Sequence, residues 1–342
     1  MYYFCTYLDQ NYLPHGLSLY RSLREHCSEF KLWVLCMDHT AYEILEKLDL
    51  PGIHPLALAE FERNDELLLG AKQNRSSIEY YFTCSPSLPL YILNNCPEVD
   101  LITYLDADLF FFASPKPLFE EMGNGSIAII GHRFPPHLRY KESYGIYNVG
   151  WLSFRRDSIA LDCLNWWREQ CIEWCYDREE NGRFADQKYL DDWPTRFKNI
   201  VVLGHKGANL APWNVSSYRL HYAQKRILVD NQPLIFFHFH RLLKITGWLY
   251  DPSWIDYSVK PSILLRKKIY TVYLKALIDA NTNLLLQHNL DLAPCGGSHK
   301  RELLRLESLS ITSLFRNKKN LLHTCMNILM AKYFLVLRRR VI

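Results

Sequence analysis

Nowhere in this 342-residue chain do about 18 apolar residues follow one another, so nothing in it is long enough to span a bilayer as a helix. No basic segment followed by an apolar core opens it: Met1-Tyr-Tyr-Phe-Cys5 runs straight into a strand pattern, and the expectation is a cytoplasmic chain. Ten cysteines are scattered without a Cys-x-x-Cys pair, which points to reduced thiols. Asn-x-Ser sequons at Asn74, Asn124 and Asn214 would matter only in a secretory lumen. Nothing repeats at a solenoid period. With 49% hydrophobic and 14% aromatic residues, the chain carries too much to bury to be disordered.

What is present is unevenly charged. The net charge is +4, yet from Lys260 onward 15 Lys or Arg stand against 4 Asp or Glu, which leaves the body mildly acidic. Length and composition suggest one large α/β domain over residues 1–259 and a helical, basic C-terminal region over 260–342. Leucines alternate with Lys and Arg there, ending Arg338-Arg-Arg340. That pattern suits either a solvated helix packed on its own domain or one lying on an anionic membrane surface.

Taken in order, Tyr2 to Leu8 reads as a strand and residues 16–26 as a helix; Phe30 to Met37 is a second strand, and Thr40-x-x-Glu43 a capping box for the next helix. This βαβα order predicts a mostly parallel sheet flanked by helices. A third strand near residues 53–58 and a helix near 88–95 lead to a fourth strand, Leu101-Ile-Thr-Tyr-Leu105. Tyr147-Asn148-Val-Gly150-Trp-Leu-Ser-Phe154 reads as a strand whose glycine permits close approach of a ligand to the backbone. A helix over about 159–176 follows, its tryptophans 166, 167 and 174 assigned to packing.

The fourth strand runs into Asp106-Ala-Asp108. In an extended chain residues i and i+2 face the same way, so the two carboxylates either converge on a hard cation or close an Asx turn. Further along, Asp186-Gln187 precedes a short helical stretch, and a strand over 233–239 ends in His238-Phe-His240, with Lys244 six residues past His238. Either histidine could supply a third ligand, and a lone His at a strand end is also a common core residue.

In this order and spacing the stretches resemble glycosyltransferase family 8, the retaining GT-A enzymes such as glycogenin and the bacterial lipopolysaccharide galactosyltransferases. Thr6-Tyr7-Leu-Asp9-Gln-Asn11-Tyr12 resembles the family's first strand and base-binding turn, implicating Tyr7, Asp9 and Asn11. Tyr104-Leu-Asp106-Ala-Asp108 resembles its metal motif, and Tyr147-Asn148-Val-Gly150 its donor-sugar strand. Asp186-Gln187 resembles the pair beside the anomeric carbon, and His238 with Lys244 its third metal ligand and diphosphate-binding lysine, with His240 the second choice of ligand. The resemblance implies a GT-A fold, Mn²⁺ (or Mg²⁺), and transfer from a nucleotide-diphosphate sugar, UDP-linked by preference, to a glycan or lipid-linked glycan such as lipopolysaccharide. It implies retention of configuration, by a front-face path with Asp186 and Gln187 placing the sugar.

Departures accompany it. Arg241 and Ile245-Thr246 replace the family's Gly and Pro-Trp, and its helix Arg is missing, although Lys72 and Arg75 could stand in. Asp191 and Asp192 read as surface charge. The alternatives are an inverting enzyme with Asp186 as base, or a GT-A-like protein that binds sugar without turning it over. A sugar nucleotidyltransferase would need a Gly-rich loop after Leu8, which is absent, and nucleic acid is not expected as a partner.

Overall fold

The computed structural model describes residues 1–246, 249–288, 333–337 and 340–341. Strand β1 (Tyr2–Leu8), helix α1 (Leu13–His26), β2 (Phe30–Cys36), α2 (His39–Leu48) and β3 (Ile53–Ala57) alternate as the sequence pattern requires. Four short helices follow, α3 (Leu58–Phe61), α4 (Glu66–Lys72), α5 (Ser77–Cys84) and α6 (Ser87–Asn95). Then come β4 (Leu101–Leu105), β5 (Leu109–Phe111), α7 (Lys116–Met122), β6 (Ile127–Gly131), β7 (Tyr147–Arg155), α8 (Ser158–Glu173), α9 (Trp193–Arg196) and β8 (Ile200–Leu203).

Seven of these strands form one sheet in the order β3-β2-β1-β4-β7-β6-β8. All are parallel except β7, which runs antiparallel to both its neighbours. This is the mixed, mostly parallel sheet expected from the sequence, and its one reversed strand matters. Parallel strands deliver Asp9, Asp38, Asp106 and His132 from their carboxyl ends to one edge of the sheet, while β7 delivers its beginning, Tyr147 to Gly150, to that same edge. The chain order reverses beside β1, with β2 on one side and β4 on the other, which makes this edge the usual ligand crevice of an open α/β sheet.

Aromatic side chains fill the space beneath that edge. Trp151 is 1% exposed and stacks on Phe236 with centroids 5.5 Å apart and an 11° interplanar angle, with Phe111 and Phe119 at its rim. Burial of a ring this size stabilises the fold by roughly 3 kcal/mol. Gly207 lets two segments of chain pass close together: a Cβ there would lie 1.9 Å from the Pro233 carbonyl oxygen.

The second half builds small sheets around the large one. β9 (Leu220–Ala223), β10 (Arg226–Val229) and β11 (Gln232–Pro233) form one, and β12 (Phe236–His238) pairs with β5. β13 (Leu243–Thr246) and β14 (Leu249–Asp251) join β15 (Phe334–Leu337) and β16 (Arg340–Val341) in another. A π-helical turn, Leu265–Tyr270, leads into α10 (Thr271–His288), where the expected helix after residue 260 is present; residues 334–337 and 340–341, expected to be helical, are instead strands, because they pair with β14 and with each other. The rest of the expected basic helices, 289–332, lies outside the described residues. Among the described residues, no helix is long and apolar enough to cross a membrane.

One local expectation needs correction. The cap of α2 is Asp38, whose carboxylate accepts the Ala41 N–H at 2.8 Å, because Asp38 is still extended (φ −141°) while Thr40 already lies inside the helix. A capping box does form, at Ser76 and Glu79 of α5. Residues 72–79 form the junction of α4 and α5.

Candidate metal and donor site

The chain leaves β4 at Asp106, turns, and resumes as β5 at Leu109. The turn is closed by the Leu109 N–H donating to the Asp106 carbonyl at 3.2 Å, so it does have the shape of a strand-end turn. What makes it more than that is β12, which pairs antiparallel with β5 in the register His238 opposite Leu109. The Phe239 N–H then donates to the Asp108 carbonyl at 3.0 Å. Backbone pairing therefore seats His238 directly over the two carboxylates: Nε2 is 3.1 Å from Asp108 Oδ1 and 3.6 Å from Asp106 Oδ2. One ligand atom from each of the three falls within a 4.8 Å cluster, and His240 is not among them.

The rear of the imidazole is equally fixed. His238 Nδ1 lies 3.2 Å from Asn148 Oδ1, which also accepts the Gly150 N–H at 3.2 Å. Asn148 Nδ2 donates to Gln187 Oε1 at 3.2 Å, and Gln187 Nε2 donates to the Tyr144 carbonyl at 3.0 Å. Four of the expected site residues, Asn148, Gly150, Gln187 and His238, thus belong to one hydrogen-bonded unit. Gly150 serves it by its missing side chain, since a Cβ would lie 2.6 Å from Asn148 Oδ1 and 2.9 Å from His238 Nδ1. The chain's own amide and imidazole fill the gap that the sequence pattern assigned to an approaching ligand.

Burial and mutual charge pull the carboxyls apart. Asp106 rises to about 6, first by burial and then by repulsion from Asp108, offset in part by His238 and by the Tyr104 hydroxyl donating at 2.9 Å. Burial also works against Asp108, but the His238 charge and hydrogen bond outweigh it and hold this acid at about 2. His238 is raised: the two carboxylates overcome a burial penalty of opposite sign. Asp186, 4% exposed, rises to about 7 through burial, with the Asp106 charge adding to it. Ala185, held at φ +45°, and the Trp167 indole N–H, which donates to the Asp186 carbonyl at 2.8 Å, fix the backbone here. Two carboxylates and an imidazole whose other nitrogen is anchored make a donor set that suits a divalent cation.

No family model matches the chain. Two proteins of Bacillus subtilis (strain 168) do: YfnF is 34% identical over 252 residues, spanning 71% of this chain and 82% of YfnF. YfnD is 31% identical over 276 residues, spanning 80% of this chain and 88% of YfnD. The chain belongs to the YfnF and YfnD family. Both relatives are described as uncharacterized, so membership assigns no activity. Among solved structures, a galactosyltransferase LgtC in complex with donor and acceptor sugar analogues matches with a TM-score of 0.48 and 17% identity, over 70% of this chain and 90% of that one. Mouse xyloside xylosyltransferase 1 gives 0.46 and 15%, over 70% and 98%. The glycosyltransferase GlyE of Streptococcus pneumoniae TIGR4 gives 0.45 and 17%, over 80% and 64%. At these scores and identities the likeness is one of outline and assigns no chemistry to this member of the family.

The remaining expected residues sit around the cluster. Tyr7 packs on Tyr104 at 5.7 Å, and burial, with Asp186 and Asp106 next, drives its hydroxyl well above the ordinary range. Asp9 closes the turn after β1, accepting the Asn11 and Tyr12 N–H groups at 3.0 Å each, and Asn11 Nδ2 donates back to it at 3.4 Å. Beyond that turn, at the carboxyl ends of β2 and β3, opens a cavity of about 320 Å³ bounded by Asp38, Tyr42, Leu58, Glu62 and Lys72. Lys72 is paired there with Glu62 at 2.6 Å, and Arg75 binds the Tyr176 hydroxyl at 2.5 Å, so both proposed stand-ins for the family's Arg are engaged away from the metal cluster. Lys244 lies on β13 opposite Tyr250. Arg241, where the resemblance has Gly, adopts φ +55°, a left-handed turn that glycine would occupy at no steric cost. Asp191 is a structural acid, accepting the Ile146 N–H at 2.7 Å and Lys188 at 2.8 Å.

Three contributors had no motif to announce them. His132 follows β6 and meets Asn148. His15 of α1 and Tyr273 of α10 share a 2.7 Å hydrogen bond, and Tyr273 stacks at 3.7 Å on Phe239, the neighbour of His238. Part of the chain beyond residue 260 therefore props up the third ligand. Substituting Gly150→Ala should leave the circular dichroism spectrum unchanged and weaken Mn²⁺ binding about 10- to 100-fold by calorimetry, because it displaces Asn148 and His238 together. Mn²⁺ uptake at wild-type strength in that variant would mean the gap is not needed.

Proposed function

We propose that this chain is a metal-dependent GT-A glycosyltransferase that moves a sugar from a nucleotide-diphosphate donor to a glycan acceptor. The observation that carries the reading is the convergence of Asp106, Asp108 and His238, separated by about 130 residues of chain, at the switch-point edge of the sheet, two hydrogen bonds from Gln187 by way of Asn148. A carboxylate pair alone would be a turn; a buried imidazole brought onto it by strand pairing, with its far nitrogen held, is built for a cation.

Asp106, Asp108 and His238 would hold Mn²⁺ or Mg²⁺, which when bound would offset charge on a departing diphosphate. The protein's own groups do the rest. Asn148 and Gln187 present amide groups that can orient sugar hydroxyls, and Asp186, which feels the Asp106 charge, would stabilise positive character at the anomeric carbon. Gln187 is a poor nucleophile, which favours a front-face path with retention. Lys244 would add a positive group for the diphosphate, and Tyr7, Asp9 and Asn11 would flank the base and ribose. UDP is the favoured nucleotide and a lipid-linked surface glycan the favoured acceptor, both resting on the family resemblance.

One feature supports a second reading. An acid near pH 7 is what a general base for the acceptor hydroxyl would need, so Asp186 could instead serve an inverting reaction. The anomeric configuration of the product by NMR separates the two. The parent reading is tested by thermal shift and hydrolysis with UDP-, GDP- and CMP-sugars, with and without Mn²⁺. A rise in melting temperature that needs both metal and one nucleotide class is expected; no metal-dependent response to any of them would overturn it.

A further inference from the structure

His132 stands at the end of β6, 5% exposed, and nothing in the metal motif calls for it. Its surroundings specify its protonation. Nδ1 lies 3.3 Å from the Ile146 carbonyl, an acceptor only, so the ring proton belongs on Nδ1. Nε2 is then a bare acceptor, 3.3 Å from Asn148 Nδ2. The ring cannot drift: it stacks on Phe134 at 4.7 Å and 10°, the Trp213 ring meets it edge-on at 5.1 Å, and its own carbonyl accepts the Trp213 indole and the Asn214 amide at 2.9 and 2.8 Å.

We propose that His132 is a positioning residue: its bare Nε2 holds the Asn148 amide with the oxygen toward His238, and so keeps the third ligand's Nε2 aimed at Asp106 and Asp108. Asn148 has two acceptors for its NH₂ group, His132 Nε2 and Gln187 Oε1. Gln187 is held on its other side by the Tyr144 carbonyl, at the end of a 3-10 helical segment, and in the proposed reaction it turns to the donor sugar. His132 is the acceptor that stays. With it in place the amide cannot flip, Asn148 Oδ1 continues to accept from His238 Nδ1, and the metal-facing nitrogen keeps its lone pair. The inference rests on the metal-site reading for its purpose, though not for its geometry.

Two measurements test it. In metal-free wild-type protein, a long-range ¹H–¹⁵N spectrum should place the His132 ring proton on Nδ1; a proton on Nε2 would overturn the proposal whatever the metal does. Mn²⁺ binding, followed by the electron paramagnetic resonance of the free ion, should weaken about 10- to 100-fold in His132→Leu. His132→Gln, whose Oε1 can accept from Asn148, should stay within about threefold of wild type. Leu binding as tightly as wild type, or a folded Gln variant binding as weakly as a folded Leu variant, would refute the role. If wild-type protein takes up no Mn²⁺ at all, the metal reading falls, and the ring spectrum alone decides whether His132 sets the amide.

Discussion

Replacing Asp108 by Asn is expected to reduce sugar transfer by about 10³-fold or more and to abolish the Mn²⁺-dependent thermal shift. The leaving-group stabilisation that a bound cation supplies is worth several kcal/mol, and each 1.36 kcal/mol is a factor of ten in rate. Asp106→Asn should be as damaging to transfer, yet the two variants should diverge when no metal is present. Asp108 is held at about 2 by His238, below its unfolded value, so its ion pair stabilises the fold above about pH 4 and that contribution fades as pH falls toward 2. Asp108→Asn therefore removes stability at neutral pH, on the order of 1–3 kcal/mol. Asp106 is shifted the other way, to about 6, so its ionised form is disfavoured in the fold and stability falls as pH rises from about 4 to 6. Its amide should leave the metal-free melting temperature at pH 8 unchanged or higher. Equal losses of metal-free stability in both variants would contradict the assignment of opposite roles to these acids.

The sequence made some of this legible for a clear reason. Alternation of strand and helix, the apolar run into Asp106-Ala-Asp108, and the six-residue spacing from His238 to Lys244 are local signals, and local signals survive in one dimension. The register of β12 on β5 is not local, and it chooses His238 over His240: two residues along a strand would keep the same facing, but only His238 sits opposite Leu109. Gly150 was legible as a close approach, though the sequence could not say that the approaching groups are Asn148 and His238. The contact of His132 with Asn148 was not legible because it comes from β6 and β7 lying side by side in antiparallel register, which brings residues 132 and 148 together. Trp167 was assigned to packing, and it does pack, but its one polar atom anchors the backbone of Asp186. The reversal of β7 has no local signal, and two of the site residues, Asn148 and Gly150, lie on that strand.

A second large effect should come from Asp186→Asn, and its sign depends on pH. Burial raises this carboxyl to about 7 against 3.8 in an exposed chain, so the folded protein binds a proton that the unfolded chain has already lost. Stability then falls as pH rises between about 4 and 7, and above 7 the ionised group stands at its full cost, at most about 4 kcal/mol. The asparagine variant carries no such charge. In metal-free protein it should melt higher than wild type at pH 8, with the gain shrinking toward zero near pH 4 in a series of calorimetric scans. Transfer should move the opposite way, falling about 10²- to 10³-fold, because a carboxylate aimed at developing positive charge is lost. Either role needs the ionised carboxylate, so wild-type kcat/KM should rise through pH 7 and the residual activity of the variant should not; the configuration of the product separates the two chemistries, inversion marking Asp186 as a base. If it only places and stabilises the sugar on a retaining path, the product keeps its anomeric configuration. A variant that is less stable than wild type at every pH would show that partners in the fold hold Asp186 ionised, and the buried-acid account of this site would fail.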